Sequence, residues 1–190
     1  MTNSHTFGSA TARVDGIARA PGLRGQTTIR RDAFGIPHVD APSEHDAWFA
    51  LGYACAQDRL WQMEWYRRRG TGRWAEVAGP GAVATDALFR RLDLERASRQ
   101  DEATMSPETL GMFQAYAEGV NAFLASGEPL PLEFEITGIV PEPWEPWHST
   151  LAFRVRHVLM GQFQWKLARL RLLHEAGPER FVLIDGRDPV

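Results

Sequence analysis

Residues 52–64 read Gly-Tyr-Ala-Cys-Ala-Gln-Asp-Arg-Leu-Trp-Gln-Met-Glu and are the most informative stretch of the chain. They continue an apolar run that begins at Ala47, and the whole segment 44–69 is dense in helix formers and almost free of helix breakers. Ser43 followed three residues later by Asp46 is typical of a helix start. Because a helix that is apolar on nearly every side is buried rather than laid on a surface, we expect this helix at the centre of the fold.

Polar and charged groups interrupt the same run. An ionised side chain is costly to bury unless it is paired, so we expect Asp58 and Arg59 to be buried and bonded to partners. Their predicted role is scaffolding that holds this helix to the sheet or to another chain. The same structural role is predicted for Gln57, Gln62 and Glu64.

The flanking sequence predicts an α+β chain that is mainly helical. Two short strands over 26–31 and 36–40 precede the central helix, and Ser106 followed by Pro107 predicts a sharp helix start. Residues 128–147 contain five prolines and predict polyproline-like extension. The remaining expectations are a flexible leader over 1–25, helices over 73–78, 86–103, 107–127 and 148–176, a stop at Gly177-Pro178, a strand at 181–184, and one unit over 26–177 with a tail at 178–190.

Composition excludes several classes of protein. The formal net charge of −3 gives no reason to expect a nucleic acid partner, and no window is apolar for long enough to cross a membrane. The first 25 residues lack the apolar segment of an export signal, which predicts a cytoplasmic location, or a periplasmic or secreted one if a leader was removed. Cys55 is the only cysteine; an internal disulfide is therefore excluded, and a small buried hydrophobe is expected.

No self-contained active site is recognisable. The sequence has no glycine-rich phosphate loop, no nucleophile elbow and no zinc-binding His-Glu-x-x-His. Its histidines do not share ligand spacing on any one predicted helix, so no metal site is predicted. The chain alone is therefore not expected to carry out a reaction.

Several separate blocks, in order, give the chain a resemblance to a known family. It resembles the small (α) chain of the penicillin acylase family of N-terminal-nucleophile hydrolases. The blocks are the stretch 52–64, Arg31 to His38, Ala75 to Gly79, Phe89 to Arg91, Ala115 to Ala122, Glu133-Phe134 and Pro143 to Pro146.

This resemblance implies half of an enzyme. The family fold is an αββα sandwich completed by a larger β-subunit, and both chains are cut from one precursor. The β-subunit begins with a Ser that is the nucleophile, whose own α-amine acts as the base. No catalytic residue is then expected here, the substrate is a small-molecule amide, and Asp58, Arg59, Gln62 and Glu64 have an alternative role in orienting the precursor for self-cleavage.

The resemblance also implies where this chain touches substrate. In related acylases the corresponding last helix lines the acyl pocket with a Met, an Arg and a Phe. Those positions fall on Arg156 or His157, on Leu159 or Met160, and on Met160 or Gly161. The predicted substrate-binding face, which includes residues at spacings of three and four, consists of Phe153, Arg156, His157, Met160, Gly161 and Gln164. The alternative is that these side chains only pack.

Calcium is implied in part of the family, where a carboxylate of the small chain helps to bind it. The alignment puts Lys166 at that position, and an ammonium group cannot be a calcium ligand, so no cofactor is predicted. Two alternatives stay open at this stage. The chain could instead be a non-catalytic helical interaction subunit, and the substrate could be a β-lactam, an acyl-homoserine lactone or an anilide.

Overall fold

The computed structural model of the chain describes residues 15–161 and 163–185, which form helices and one small sheet. β1 (Thr28–Arg31) and β2 (Pro37–Asp40) pair antiparallel, with Ile29 opposite Val39. The helices are α1 (Glu44–Gly70), α2 (Ala75–Ala78), a 3₁₀ turn (Pro80–Ala82), α3 (Val83–Leu92), α4 (Leu94–Thr104), α5 (Pro107–Ala125), α6 (Leu132–Thr137), α7 (Pro146–Met160) and α8 (Phe163–Asp185). This mainly helical architecture with a small sheet confirms the coarse fold prediction.

The predicted helix starts are present. Ser43 is extended, and its hydroxyl accepts from the amide of Asp46 at 3.1 Å, so α1 begins with a satisfied N-terminal donor. Ser106 does the same for the amide of Thr109 at 3.2 Å, with Pro107 at the first helical position. Local chemistry therefore sets the beginnings of the two longest core helices.

α1 and α5 cross at very close range because each helix has a glycine at the crossing, Gly52 on α1 and Gly119 on α5. A Cβ on Gly52 would lie 2.0 Å from the carbonyl oxygen of Tyr116, and one on Gly119 would lie 1.9 Å from that of Phe49. Around this crossing lies a core cluster from α1, α5, α6 and the segment before α7: Ala56, Leu60, Met63, Ala117, Val120, Phe123, Phe134 and Trp144. A second cluster joins α3, α4 and α7: Phe89, Leu94, Trp147, Leu151 and Val155. The second cluster fixes α7 against α3 and α4.

Several predicted boundaries are wrong. The charged helix over 86–103 is two helices, because Asp93 adopts a left-handed conformation (φ 52°) between them. The proline-rich segment contains the helix α6. The regular helix of α8 is interrupted at Gly177 (φ 77°), where a stop is predicted, but helix resumes after it, so 181–184 is helical and not a strand.

The part of the proline-rich segment that leads into α7 has no regular secondary structure and is held by side-chain hydrogen bonds. The side chain of Asn121 donates to the carbonyl of Trp144 at 2.9 Å and accepts from its amide at 2.7 Å. The Trp144 indole also donates to Ser149 at 3.1 Å. α7 therefore starts from a fixed position.

Among the helices in the described ranges, none combines the length and the apolarity that crossing a membrane would require.

Candidate functional site on helix α7

α7 has one buried face and one exposed face. Trp147, Leu151 and Val155, four residues apart, are buried in the core. The opposite face carries Phe153 and Met160, whose exposed fractions are 64% and 66%. Arg156 and His157 are also exposed on this helix. Among the described residues nothing buries these side chains, and four predicted substrate-binding residues share an outward face.

The exposed side chains are ordered by contacts with one another. The rings of Phe153 and His157 lie with their centroids 4.2 Å apart. His157 Nδ1 is 3.0 Å from the carbonyl oxygen of Phe153; since a carbonyl only accepts, Nδ1 carries the proton and Nε2 is left for another group. Arg156 Nε donates to the sulfur of Met160 at 3.3 Å. The face thus presents an aromatic platform beside a thioether.

The predicted single last helix is instead two helices, which changes the position of Gln164. α7 ends at Met160, and Gly161 is its C-cap. A Cβ on Gly161 would lie 2.4 Å from the carbonyl oxygen of His157, so a side chain at this position would require the backbone to move. Gln164 lies beyond the break, exposed on α8. The spacing predicts that Gln164 continues the face formed by Phe153, His157 and Met160. In the structure Gln164 lies on a different helix from those three residues.

Phe153 and His157 also line a cleft of about 700 Å³ between α4 and α7. Arg154 crosses from α7 to Asp101 on α4, with Nη2 2.6 Å and Nε 3.1 Å from the same carboxylate oxygen. The full lining is Leu94, Asp101, Thr104, Met105, Thr150, Phe153, Arg154, His157 and Val158. Sequence reasoning missed the α4 wall, because no local pattern shows that two helices 50 residues apart in sequence pack together.

The prediction that Asp58 and Arg59 are buried is wrong. Both are exposed residues, and Asp58 is paired with Arg31 of β1 through two contacts of 2.8 Å. Arg31 also donates to Gln57 at 2.7 Å. Arg59 has non-helical backbone angles (φ −139°, ψ 17°) that interrupt α1. The motif therefore attaches the hairpin to α1 at the helix surface.

Glu64 is the buried charge of the motif, while Gln62 is exposed. The two carboxylate oxygens of Glu64 accept from Arg67 and Arg68, which are themselves buried. At the outer side of this network the guanidinium of Arg73 bonds to Glu76 and to Glu142 and holds the pKa of both carboxyls below the usual range. This network ties the end of α1 to α2 and to the proline-rich segment.

Serine hydroxyls in the described ranges are used structurally. Ser43 and Ser106 cap helices, and Ser98 and Ser126 donate to backbone carbonyls at 2.8 Å and 2.7 Å. Ser149 accepts from an indole. None of them has the neighbouring base that an activated serine needs.

The calcium position does not fit the ion. Lys166 is exposed on α8, and its ammonium group cannot ligate calcium. Within residues 15–161 and 163–185, no three His, Cys, Asp or Glu side chains converge as metal ligands would.

The chain is mainly helical, and Phe153 and Met160 on the outward face of α7 are exposed in the part of the chain that the structure describes. The family model described as penicillin amidase matches residues 26–185. The chain therefore belongs to the penicillin amidase family, as the resemblance indicates.

Individual relatives agree. The chain is 45% identical over 176 residues to penicillin acylase 2 proenzyme of Pseudomonas sp. strain SE83, an alignment that covers 93% of this chain and 23% of the relative. It is 37% identical over 176 residues to acyl-homoserine lactone acylase QuiP of Pseudomonas aeruginosa, covering 92% and 21%. The chain thus spans less than a quarter of either relative's length.

A solved structure shows the same fold. A thermostable penicillin G acylase from Alcaligenes faecalis superposes with a TM-score of 0.66 at 31% identity. The match covers 84% of this chain and 88% of that chain. Most of that chain is thus similar in fold to most of this one.

Proposed function

We propose that this chain is the small subunit of a heterodimeric amide hydrolase, and that α7 supplies one wall of its acyl pocket. The observation that carries the proposal is the exposed face of α7, where Phe153, His157, Arg156 and Met160 contact one another but nothing covers them within the described chain. Exposed apolar patches of this kind mark binding surfaces. Family membership supports the reaction class.

The partner in this proposal is the larger β-subunit from the same precursor, which would complete the αββα sandwich. Its expected contact surfaces are apolar side chains left uncovered here. They include Phe34 on the β1–β2 turn, Trp165 and Leu170 on α8, and Leu183 after the bend at Gly177. Burying such residues in a permanent interface favours association.

In the proposed reaction the hydroxyl of the β-subunit's N-terminal Ser attacks the amide carbonyl, and the α-amine of that Ser takes the proton. The amine product leaves with a proton, and water then releases the acid from the acyl-enzyme. The role of this chain is to position the acyl group by contact with Phe153 and Met160. Such positioning raises the rate because the carbonyl is held where the nucleophile attacks. No side chain of this chain exchanges a proton in the reaction.

The test is to express the complete precursor with Met160→Ala or His157→Ala and to measure kcat/KM for amides that differ only in the acyl group. The relative rates for short and bulky acyl groups should change by about 10- to 200-fold, the range for one methylene of pocket volume. Processing into two chains should continue, since neither side chain takes part in bond making. Ile136→Ala removes an equally exposed apolar side chain from α6 and should change neither property.

The same experiment distinguishes the non-catalytic alternative. An interaction subunit predicts a purified complex that hydrolyses no amide in the series, with or without the substitutions. Unchanged acyl preference in both variants of an active enzyme would instead remove α7 from the pocket.

A further inference from the structure

We propose that the cleft between α4 and α7 receives the acyl group itself, and that Met105 and Thr104 at the end of α4 determine which acyl groups enter. This inference rests on the proposed function and adds a substrate class to it: uncharged acyl groups that are long or bulky. Nothing in the resemblance assigns a role to α4.

Phe153 and His157 line the cleft, and their rings also contact each other on the exposed face of α7, tilted by 50°. A group that contacts this platform from outside therefore has a direct way between the two helices. The opposite wall is formed by Leu94 and Met105 from α4, so an acyl group in the cleft contacts both helices.

A cleft of about 700 Å³ lies within the range of roughly 300–1,000 Å³ typical of sites for drug-sized molecules. An acetyl or propionyl group would leave most of it to water. An extended or bulky acyl group would bury its surface against Leu94, Met105, Phe153 and Val158, all of which are apolar.

The only oppositely charged pair that lines the cleft, Asp101 and Arg154, is joined at 2.6 Å. Since these two groups neutralise each other, they offer no net attraction to a charged acyl end. The hydroxyl of Thr104 donates to the backbone carbonyl of Asp101 at 3.0 Å, and that of Thr150 to the carbonyl of Trp147 at 2.9 Å. Neither hydroxyl proton is therefore left to bind a carboxylate.

The test uses the processed heterodimer and amides with one common amine and three acyl groups: butanoyl, decanoyl and a decanoyl with a terminal carboxylate. The wild-type enzyme should prefer decanoyl over butanoyl, and over the carboxylate, by at least tenfold in kcat/KM. Met105→Trp fills the cleft and should lower the decanoyl-to-butanoyl ratio at least tenfold. If Met105→Trp yields no processed enzyme, Thr104→Trp replaces it in the test, since Thr104 is exposed. Thr104→Trp should also lower the decanoyl-to-butanoyl ratio.

Met112→Trp is the matched control. Met112 is as partly buried as Met105, but it lines a separate apolar crevice of about 290 Å³ between α1, α5 and α7. This substitution should leave the ratio within twofold of wild type. A decanoyl-to-butanoyl ratio that is unchanged in both cleft variants, or changed equally by Met112→Trp, would overturn the inference while leaving the proposed function intact.

Charge is tested separately. Asp101→Asn leaves Arg154 without its carboxylate partner, so the variant should accept the terminal carboxylate at least tenfold better than wild type does. If Asp101→Asn does not raise kcat/KM for the amide with the terminal carboxylate, the acyl end does not lie beside this pair. Absence of hydrolysis of all three amides by the wild-type heterodimer would instead be a failure of the proposed function, and the inference would fall with it.

Discussion

Both oxygens of the Asp58 carboxylate lie 2.8 Å from the guanidinium of Arg31, which is 27 residues earlier in the chain. The same guanidinium donates to Gln57 and to the carbonyl of Gly35 in the hairpin turn. Bidentate pairing of this kind is geometrically specific. One arginine thus connects the hairpin, its turn and α1.

Arg31→Ala should destabilise the processed protein by about 1–3 kcal/mol, because it removes the guanidinium that pairs with both oxygens of Asp58. A double-mutant cycle with Asp58→Asn should show a coupling free energy of at least about 0.5 kcal/mol in urea unfolding. Arg59→Ala is the control: it removes the neighbouring charge but leaves the pair intact. Equal losses from Arg31→Ala and Arg59→Ala would contradict this assignment.

The glycine crossing of α1 and α5 should tolerate no side chain. Gly119→Ala places a methyl group 1.9 Å from the carbonyl oxygen of Phe49, so the helices must separate. We expect a loss of about 3 kcal/mol or more, at the top of the usual range for overpacking. Gly111→Ala, on the same helix with nothing within 4 Å of the added Cβ, should be neutral or stabilising by about 0.5–1 kcal/mol. Similar melting temperatures for the two variants would show that the helices do not cross this closely.

His148 makes stability depend on pH in a window of its own. Burial, and then the positive charges of Arg67 and Arg99, lower the pKa of His148 to about 3. The ring is neutral when folded, and its Nδ1 accepts from the amide of Glu145 at 2.9 Å. The unfolded chain takes up this proton near the ordinary pKa of 6.5, so acidification favours unfolding.

The free energy of unfolding should therefore fall as the pH falls from 6.5 towards 3, by about 2 kcal/mol between pH 6.5 and pH 5. Carboxyls with a lowered pKa, such as Glu76 and Glu142, contribute only below their ordinary values near 4.5. Urea unfolding of His148→Gln at the two pH values should lose this dependence, whereas His174→Gln, at an exposed residue of α8, should retain it. A pH dependence that survives His148→Gln would assign it to another group.

Calcium should play no part through α8. Because Lys166 cannot be a ligand, chelator should change neither the activity nor the melting temperature of the processed protein. Metal analysis before and after chelation is the measurement. Stoichiometric calcium that is lost together with activity would show that the alignment at Lys166 is wrong.

The sequence predicts the parts of this fold that depend on local chemistry. The caps at Ser43 and Ser106 and the strands that flank the turn near Gly35 need only their neighbours in sequence. The failures involve distant partners or single backbone angles. Asp58 is paired with Arg31, which comes from another element, and α3 and α4 are separate because one residue, Asp93, is left-handed. The cleft could not be predicted, since Asp101 and Arg154 meet only through packing.

We propose that this chain is the smaller of the two chains of an N-terminal-nucleophile amide hydrolase. The most direct test is to express the full precursor, treat the purified protein with a sulfonyl fluoride, and determine by mass spectrometry which residue is labelled. We expect two co-purifying chains, no label on this one, and a label on a Ser at the first position of the larger chain, with loss of amide hydrolysis. A label on any residue of this chain, or full hydrolysis by an uncut precursor, would contradict it.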